Sequence, residues 1–487
     1  MASRYGIDTE HRVHAATDME VALAAATLAA GVWWRPDPRW VFGLIAPVAL
    51  LAVVIKLCRR KGLLLAVLAC FVAVGSVRGD QAWQDLEPDR LGQWQGWAIV
   101  MRDPEPSHGA WRVVLQVDGE RFEVREYARA AGRRISGWQV GERMLVSGSR
   151  SPLDADRRSW TAAQHVVGRF DIDWVSDEGT ATAMHRFTNR VRDAVARAST
   201  HLHGPHDVLY LGLVVGDDRN QPDDMVERFR ASGLSHLTAV SGQNVAFVLA
   251  AAGPLLRLLP AWWRWSATCA LIVWFMTLTR FEPSILRAGV MAGLTATTFV
   301  LGRPQPAARI VAMSVVGLVL VDPLLVWSVG FWLSVGATLG VITVGPWLAR
   351  RLHRLGPFAL PTGITLGAQV GVALPALLVF HRLPLVSLPA NVLAVPVAGV
   401  VMLYGLPAGL VAANVPAAAG MVMAPVDVAV RWVDTVAVVA SNLEPPAPWG
   451  VVGWAAVCAA VAAALWRDAV ARPSGPASSQ RAASRAQ

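Results

Sequence analysis

"GLSHLTAVSGQNVAF", residues 233–247, stands where a long polar region gives way to apolar runs of membrane grade. It places His236, Thr238, Ser241, Gln243 and Asn244 at the mouth of an apolar segment. Inside a bilayer or a packed core each of those groups must find a partner or cost free energy. Either a serine nucleophile is being positioned, or the segment borders a path for something polar. The stretch also divides the chain, with helical membrane sequence after it and a polar region before it.

Of 487 residues 54% are apolar, and several runs approach or exceed the ~20 residues a helix needs to cross a bilayer. An ordinary soluble globule is excluded. Apolar spans are expected near 19–34, 40–57 and 63–77, and then at 236–259, 265–279, 284–301, 307–321, 324–345, 361–379, 385–402, 405–426 and 449–466. The split within 385–426 divides one long run broken by Pro and Gly. Residues 427–440, "DVAVRWVDTVAVVA", carry charges at helical spacing and read as an interfacial amphipathic helix. The four cysteines, Cys58, Cys70, Cys269 and Cys458, fall inside or beside these spans, which implies neither a disulfide framework nor a zinc site. The first run lacks a small-residue cleavage site, so no removed signal peptide is expected.

Charge orients the chain. The formal net charge is +9, and Lys56 and Lys61 are the only lysines. Arginine in excess suits phosphate binding, and it also marks cytoplasmic loops. "CRRK" at 58–61 belongs in the cytoplasm, which puts residues 80–205 outside. The basic loops at 302–309 and 349–356 then fall inside, as does the tail after Trp466, so both termini are expected in the cytoplasm.

The polar region reads as a small β domain. "GWAIVMRDPEP", "HGAWRVVLQVDG", "ERFEVREYAR", "GERMLVSGSR" and "HVVGRFDIDWVS" are short, partly alternating runs punctuated by Gly, Pro and Asp. Five such strands fit an OB-type barrel, a scaffold that can bind single strands by aromatic stacking over a basic groove. Trp94, Trp97, Trp111, Phe122, Tyr127, Trp138 and Trp160 are the candidate stacking residues. Between 91 and 177 twelve arginines meet twelve acids, so composition alone gives the barrel no basic surface. Residues 184–200 form an amphipathic helix with Phe187, Val191 and Val195 on one face, expected to lie against the membrane with its arginines toward water or lipid phosphate. The expected fold is a polytopic α-helical membrane protein of about 11–12 spans with an inserted small all-β, OB-like extracytoplasmic domain. Its expected divisions are a three-span segment (1–79), the β domain (80–180), a linker and membrane-entry segment (181–235), a transmembrane domain (236–466) and a disordered cytoplasmic tail (467–487).

Two motifs invite a catalytic reading. "HLHGPHD" at 201–207 is similar to the H-x-H-x-D-H metal motif of the metallo-β-lactamase superfamily, but position five is Pro205 and the aspartate follows the third histidine. No second ligand set follows, so no metal is expected. "AVSG" at 239–242 is similar to the G-x-S-G of intramembrane serine proteases, with Ala239 in place of the first glycine. The only histidine near a later span is His381, beside Arg382 at an outer end, and a serine without a positioned base is not a nucleophile. Helix packing or pathway lining is favoured, no catalytic residue is assigned, and no cofactor is implied.

The full stretch "LGLVVGDDRNQPDDMVERFRASGLSHLTAVSGQNVAFV" (211–248) resembles the signature of the ComEC family, bacterial competence proteins that carry transforming DNA through the cytoplasmic membrane. "PSILRAGVMA" (283–292), "DPLLVWSVGFWLSVGATLG" (322–340) and "LPLVSLPANVLAVPVAGV" (383–400) resemble later blocks of that family, in order. Where family members usually carry His, this chain has Asn244, so that position is not essential here as an acid–base group. Many members also carry a C-terminal metallo-β-lactamase-like domain. This chain resembles the short form, and nuclease activity is not carried over.

In the expected topology spans 236–259, 284–301, 324–345 and 385–402 all begin outside. His236, Ser241, Gly242, Gln243, Asn244, Arg287, Phe331, Ser334 and Asn391 then share the outer half of the membrane and are the expected lining of a substrate pathway. Arg287 is expected beside the 241–244 segment, with Glu282 as its alternative partner. Pro389 and Pro396 bracket Asn391 and suggest a broken helix. The resemblance implies a channel component that carries single-stranded DNA across the inner membrane during competence. Membrane lipid, a DNA receptor protein and a cytoplasmic ATPase or DNA-binding protein are the implied partners, and a homo-oligomer is compatible. The alternatives are a small-molecule permease, which has no need of an external barrel, and a membrane serine hydrolase built on Ser241.

Overall fold

After two apolar helices, α1 (Asp18–Trp34) and α2 (Arg60–Gln84), the polar region folds as its alternation dictates. The computed structural model describes residues 17–34, 60–107, 109–127, 135–176, 180–238, 241–380, 383–446 and part of 449–459. The strands are β1 (Gly92–Ser107), β2 (Ala110–Val117), β3 (Glu120–Glu126), β4 (Glu142–Pro152) and β5 (Val166–Val175), with a short β6 (Thr180–Ala181) on the edge of β4. They pair in the order β1-β2-β3-β5-β4, and β4 returns to β1 to close a five-stranded barrel. β3 and β5 run parallel and the other pairs antiparallel. All five expected strands are present.

The two-residue period sends Ala98, Val100, Leu115, Phe122, Val124, Val146 and Phe170 inward, where Phe122 and Phe170 meet edge-on at 6.5 Å. Trp94, Trp111 and Trp138 are partly buried and pack against that core, and Phe122 lies inside it. Trp97, Tyr127 and Trp160 are exposed, and Trp174 joins them. A helix, α3 (Ala155–Thr161), joins β4 to β5. Beside it the carboxylate of Glu123, 1% exposed, takes Arg112 at 3.1 Å, Arg157 at 3.4 Å and a short contact from Arg125.

The helices that follow are α4 (Ala183–Ser199), α5 (His206–Val215), α6 (Asp223–Ala231), α7 (Ser235–Thr238), α8 (Gly242–Leu256), α9 (Ala261–Leu278), α10 (Pro283–Val300), α11 (Ala307–Val321), α12 (Val329–Arg351), α13 (Ala359–Phe380), α14 (Ser387–Asn414) and α15 (Pro416–Leu443). Among the described residues three stretches, Val329–Arg351, His353–Val379 and Ser387–Asn414, are long and apolar enough to cross a membrane, and α5, α8 and α11 are shorter apolar helices. The chain is a helical membrane protein with a small β domain.

Several expected boundaries move. The span expected at 40–57 lies outside the described residues, as does most of the one at 449–466. The run 385–426 does not split near 403. Helix α14 continues through Pro396 and Pro407 to Asn414, and the break falls at Val415, ahead of Pro416. Pro389 sits in the first turn, where its missing N–H costs nothing, so the helix around Asn391 is not broken. Residues 427–440 are the second half of α15, and Val426, Val430, Val433 and Ala437 are buried rather than set in an interface. Val191 and Val195 of α4 are likewise buried in the helical core, while Phe187 stays exposed and meets Trp274 at 6.4 Å. Helix α5 had no counterpart among the expected spans. Its ten residues are too few to read as a span, and they are buried against α14, where the Tyr210 hydroxyl donates to the Gly405 carbonyl at 2.8 Å.

By contacts the described chain forms two units, residues 1–81 with 305–323, and 82–304 with 324–487. In the first, α1 packs on α11, where Arg309 Nε donates to Asp18 at 2.7 Å. In the second, α12 and α13 touch backbone to backbone. A Cβ on Gly340 would stand 2.0 Å from the Gly367 carbonyl oxygen, and one on Gly371 would stand 2.0 Å from that of Gly336. Small residues allow this approach in membrane helices. Gly340→Ala should therefore force the pair apart and destabilise the protein by about 1–3 kcal/mol, read as a lower melting temperature in detergent. Gly293→Ala, which meets open space on α10, should leave it unchanged.

Candidate functional site

Helix α8 begins at the SG pair of the opening stretch. Ser241 holds the N-cap position with extended backbone (φ −106°, ψ 160°). Its hydroxyl does not cap the helix but donates to Asn244 Oδ1 at 3.0 Å. Asn244 is buried, and its Nδ2 donates to the Leu213 carbonyl of α5 at 3.4 Å. Gly242 lies on the first turn of α10, where an added Cβ would stand 2.9 Å from the Ala288 Cβ and 3.5 Å from Nη2 of Arg287. Arg287 is 3% exposed, and its Nε and Nη1 have no hydrogen-bond partner among the described residues.

The expected neighbourhood of Arg287 and the 241–244 segment is thus present in the fold. Glu282 is engaged elsewhere: it accepts from Arg102 Nη2 of β1 at 2.9 Å. Gln243 and His236 are exposed, and Ser241 and Gly242 are half-buried, so the start of α8 has an open side.

Helix α14 joins this group through its first turn. Gly233, at φ +71°, passes so close to Ser387 that an added Cβ would lie 2.4 Å from the Ser387 Cβ. Asn391 is one turn further on, buried, with Nδ2 turned back onto the Ser387 carbonyl at 2.7 Å. Phe331 is fully buried against Trp332 on α12, and Ser334 is half-buried on the same helix, which packs on α10. The structure therefore brings the 241–244 segment to Arg287, and Gly233 to the Ser387–Asn391 turn. Phe331 and Ser334 stand on a helix that packs on α10 and on α13, whose Gln369 Nε2 donates to the Ser387 hydroxyl at 3.0 Å.

A buried ion network, not singled out in the sequence, joins the barrel to the helices. Asp103 of β1 accepts from Val140 N at 3.0 Å and from Arg280 Nε at 2.9 Å, with Arg192 Nη2 at 3.4 Å. Arg192, expected to face water or lipid phosphate, is instead 7% exposed and donates to the carbonyls of Val215 and Leu278 and to Asp217 at 3.1 Å. Arg219 clasps the Asp217 carboxylate with two bonds of 2.6 and 2.7 Å. Arg280 and Phe281 hold positive φ values of 62° and 54°, a costly backbone for such residues, and Arg280 Nη1 donates to Asn189 at 2.9 Å. The one local sign of this network was the charged turn "GDDR" at 216–219.

Burial works to raise the Asp217 carboxyl, but the hydrogen bonds and charges of Arg219 and Arg192 outweigh it and hold it at about 2. Burial likewise opposes the charged form of Asp103, and Arg280, Arg192 and Arg219 pull it below its ordinary value. A depressed carboxylate stabilises the fold above its unfolded pKa of about 4, and that contribution is lost as pH falls through the folded value. Asp217→Asn should therefore lower the melting temperature at pH 7 and lose its effect as pH falls from about 4 through about 2. An effect as large at about pH 2 as at pH 7 would contradict this assignment.

The histidines of 201–207 have carboxylate neighbours on α15. His203 Nδ1 lies 3.0 Å from Asp427, and His206 lies 3.5 Å from Asp427 and 3.8 Å from Asp434. A cavity of about 300 Å³ lies between barrel and α4, lined by Gln139, Glu142, Arg186, Asn189, Arg190 and Asp193.

Residues 213–469, just over half of the chain, match the Competence protein family. The chain is 27% identical over 367 residues to ComE operon protein 3 of Bacillus subtilis (strain 168), covering 72% of this chain and 47% of that protein. It is 28% identical over 285 residues to competence protein ComA of Neisseria gonorrhoeae, covering 53% and 40%. A third relative, the uncharacterized protein YcaI of Escherichia coli (strain K12), is 27% identical over 207 residues, covering 39% and 27%. The chain spans about half or less of the length of these relatives. No solved structure matches it. The matched region contains α8, α10, α12 and α14, which carry the 241–244 segment, Arg287, Phe331 and Asn391, and the chain belongs to the Competence protein family.

Proposed function

We propose that the protein is a membrane channel component that carries single-stranded DNA across the cytoplasmic membrane during natural competence. The observation that carries the reading is Arg287, a buried arginine with two unpartnered nitrogens against the first turn of α8, within the region matched to the family. A buried arginine of this kind marks a polar pathway more readily than a packing role. The barrel receives the strand on the outer side, and the helices beneath it pass the strand inward. The pulling force comes from a cytoplasmic partner, an ATPase or a DNA-binding protein. In this reading the chain spans the membrane about 11–12 times, the barrel is extracytoplasmic, and the protein is not an enzyme.

Two experiments test this. Deleting the gene should abolish entry of labelled DNA into the cytoplasm; unchanged entry would end the reading. Replacing residues 91–177 by a short linker should abolish it as well, whereas a small-molecule permease would keep its transport. For orientation, Asp173→Cys is suited, because Asp173 is exposed on β5. That cysteine should react with an impermeant maleimide in intact cells, and labelling only after lysis would place the barrel in the cytoplasm.

A further inference from the structure

We propose that the N-terminus of α8 and the guanidinium of Arg287 form a preformed anion seat for one phosphodiester group, held open by Ser241. The proposal rests on the DNA reading for the source of the phosphate. A serine at the N-cap ordinarily accepts a hydrogen bond from the second or third amide of its helix. Here the hydroxyl points the other way and donates to Asn244 Oδ1 at 3.0 Å, while Asn244 Nδ2 is committed to Leu213. The Asn244 amide closes onto the Ser241 carbonyl at 3.0 Å. Among the described residues no acceptor meets the N–H of Gly242 or Gln243. The positive end of a fifteen-residue helix is thus left uncapped.

Arg287 is the second and independent observation. Its residue is 97% buried, Nε and Nη1 lack partners among the described residues, and the neighbouring Nη2 stands 3.5 Å from the Cβ position of Gly242. Glycine at 242 is what lets the first turn of α8 come this close to Ala288 and the guanidinium, since an added Cβ would stand 2.9 Å from the Ala288 Cβ. A monoanion with two equivalent oxygens matches this donor set, because one oxygen meets the helix amides while the other meets the arginine. The open side, bordered by exposed Gln243 and His236, allows the group to enter and leave. One cation and two neutral amides hold a phosphate weakly enough for the strand to move on.

Ser241→Asp tests this, because aspartate caps a helix as well as serine does and delivers a carboxylate of its own to the seat. Full-length protein in nanodiscs is melted with and without dimethyl phosphate, a small phosphodiester monoanion. The melting temperature of the native protein should rise with the ligand, while Ser241→Asp and Arg287→Gln should show no shift. In cells Ser241→Asp should accumulate normally in the membrane and import DNA at least tenfold more slowly. A ligand shift in Ser241→Asp equal to the native one, or import at the native rate, overturns the seat. A seat that responds as expected in a host whose DNA import survives deletion of the gene instead overturns the DNA assignment.

Discussion

Asp103→Ala should destabilise the protein by about 3–5 kcal/mol, the range for breaking a buried ion pair by removing one partner. Asp103 is 8% exposed, and its carboxylate meets Arg280, Arg192 and the Val140 amide at once. Removing it leaves two guanidinium groups facing each other in the junction and an amide without its acceptor. The Arg280–Phe281 turn, held at positive φ, loses the contact that keeps it there. Thermal melting in detergent should show a large drop, and limited proteolysis should release the barrel from the helices. Arg90→Ala is the contrast: its pair with Asp118 spans 3.5 Å at side-chain exposures of 74% and 44%, and such surface pairs contribute little. A melting temperature for Asp103→Ala close to that of Arg90→Ala would show that the junction does not hold the barrel in place.

Arg287→Leu should move stability and function in opposite directions. A charged side chain within a membrane helix is costly unless it is paired or hydrated. Here Nε and Nη1 have no partner among the described residues, and Glu282 is already taken by Arg102. Replacing the cation by an apolar side chain removes that cost, so the variant should accumulate normally and melt at a higher temperature. DNA entry should be abolished, while DNA binding at the cell surface persists. The combination matters, because a structural arginine would behave otherwise: its loss would lower melting temperature and membrane abundance together. That result would make Arg287 a packing residue and remove it from the pathway.

Local pattern determined more of this protein than its polar contacts did. The five strands, their turn at Asp118–Gly119 and the inward set of Val, Leu and Phe follow from a two-residue period that needs no distant information. The positions of α9 to α13 follow in the same way from apolar runs bounded by charge or proline. The adjacency of Arg287 and the SG segment was also legible, because both stand near the starts of helices that the expected topology begins on one side.

Tertiary structure decided which partner each polar group found. Asp103 and Arg280 are 177 positions apart, and nothing local to either encodes their 2.9 Å contact. The same limit sent Glu282 to Arg102 rather than Arg287, and turned Arg192 into the core when its helix had suggested the membrane surface. It also decided the course of α14. Pro396 and Pro407 read as breaks in isolation, yet neighbouring helices bury Ala394, Ala398, Val401 and Ala408 and keep the helix continuous between them. Hydrophobic period is a property of a few consecutive residues, whereas burial of a charge is settled only when distant segments bring its counter-charge or leave it without one.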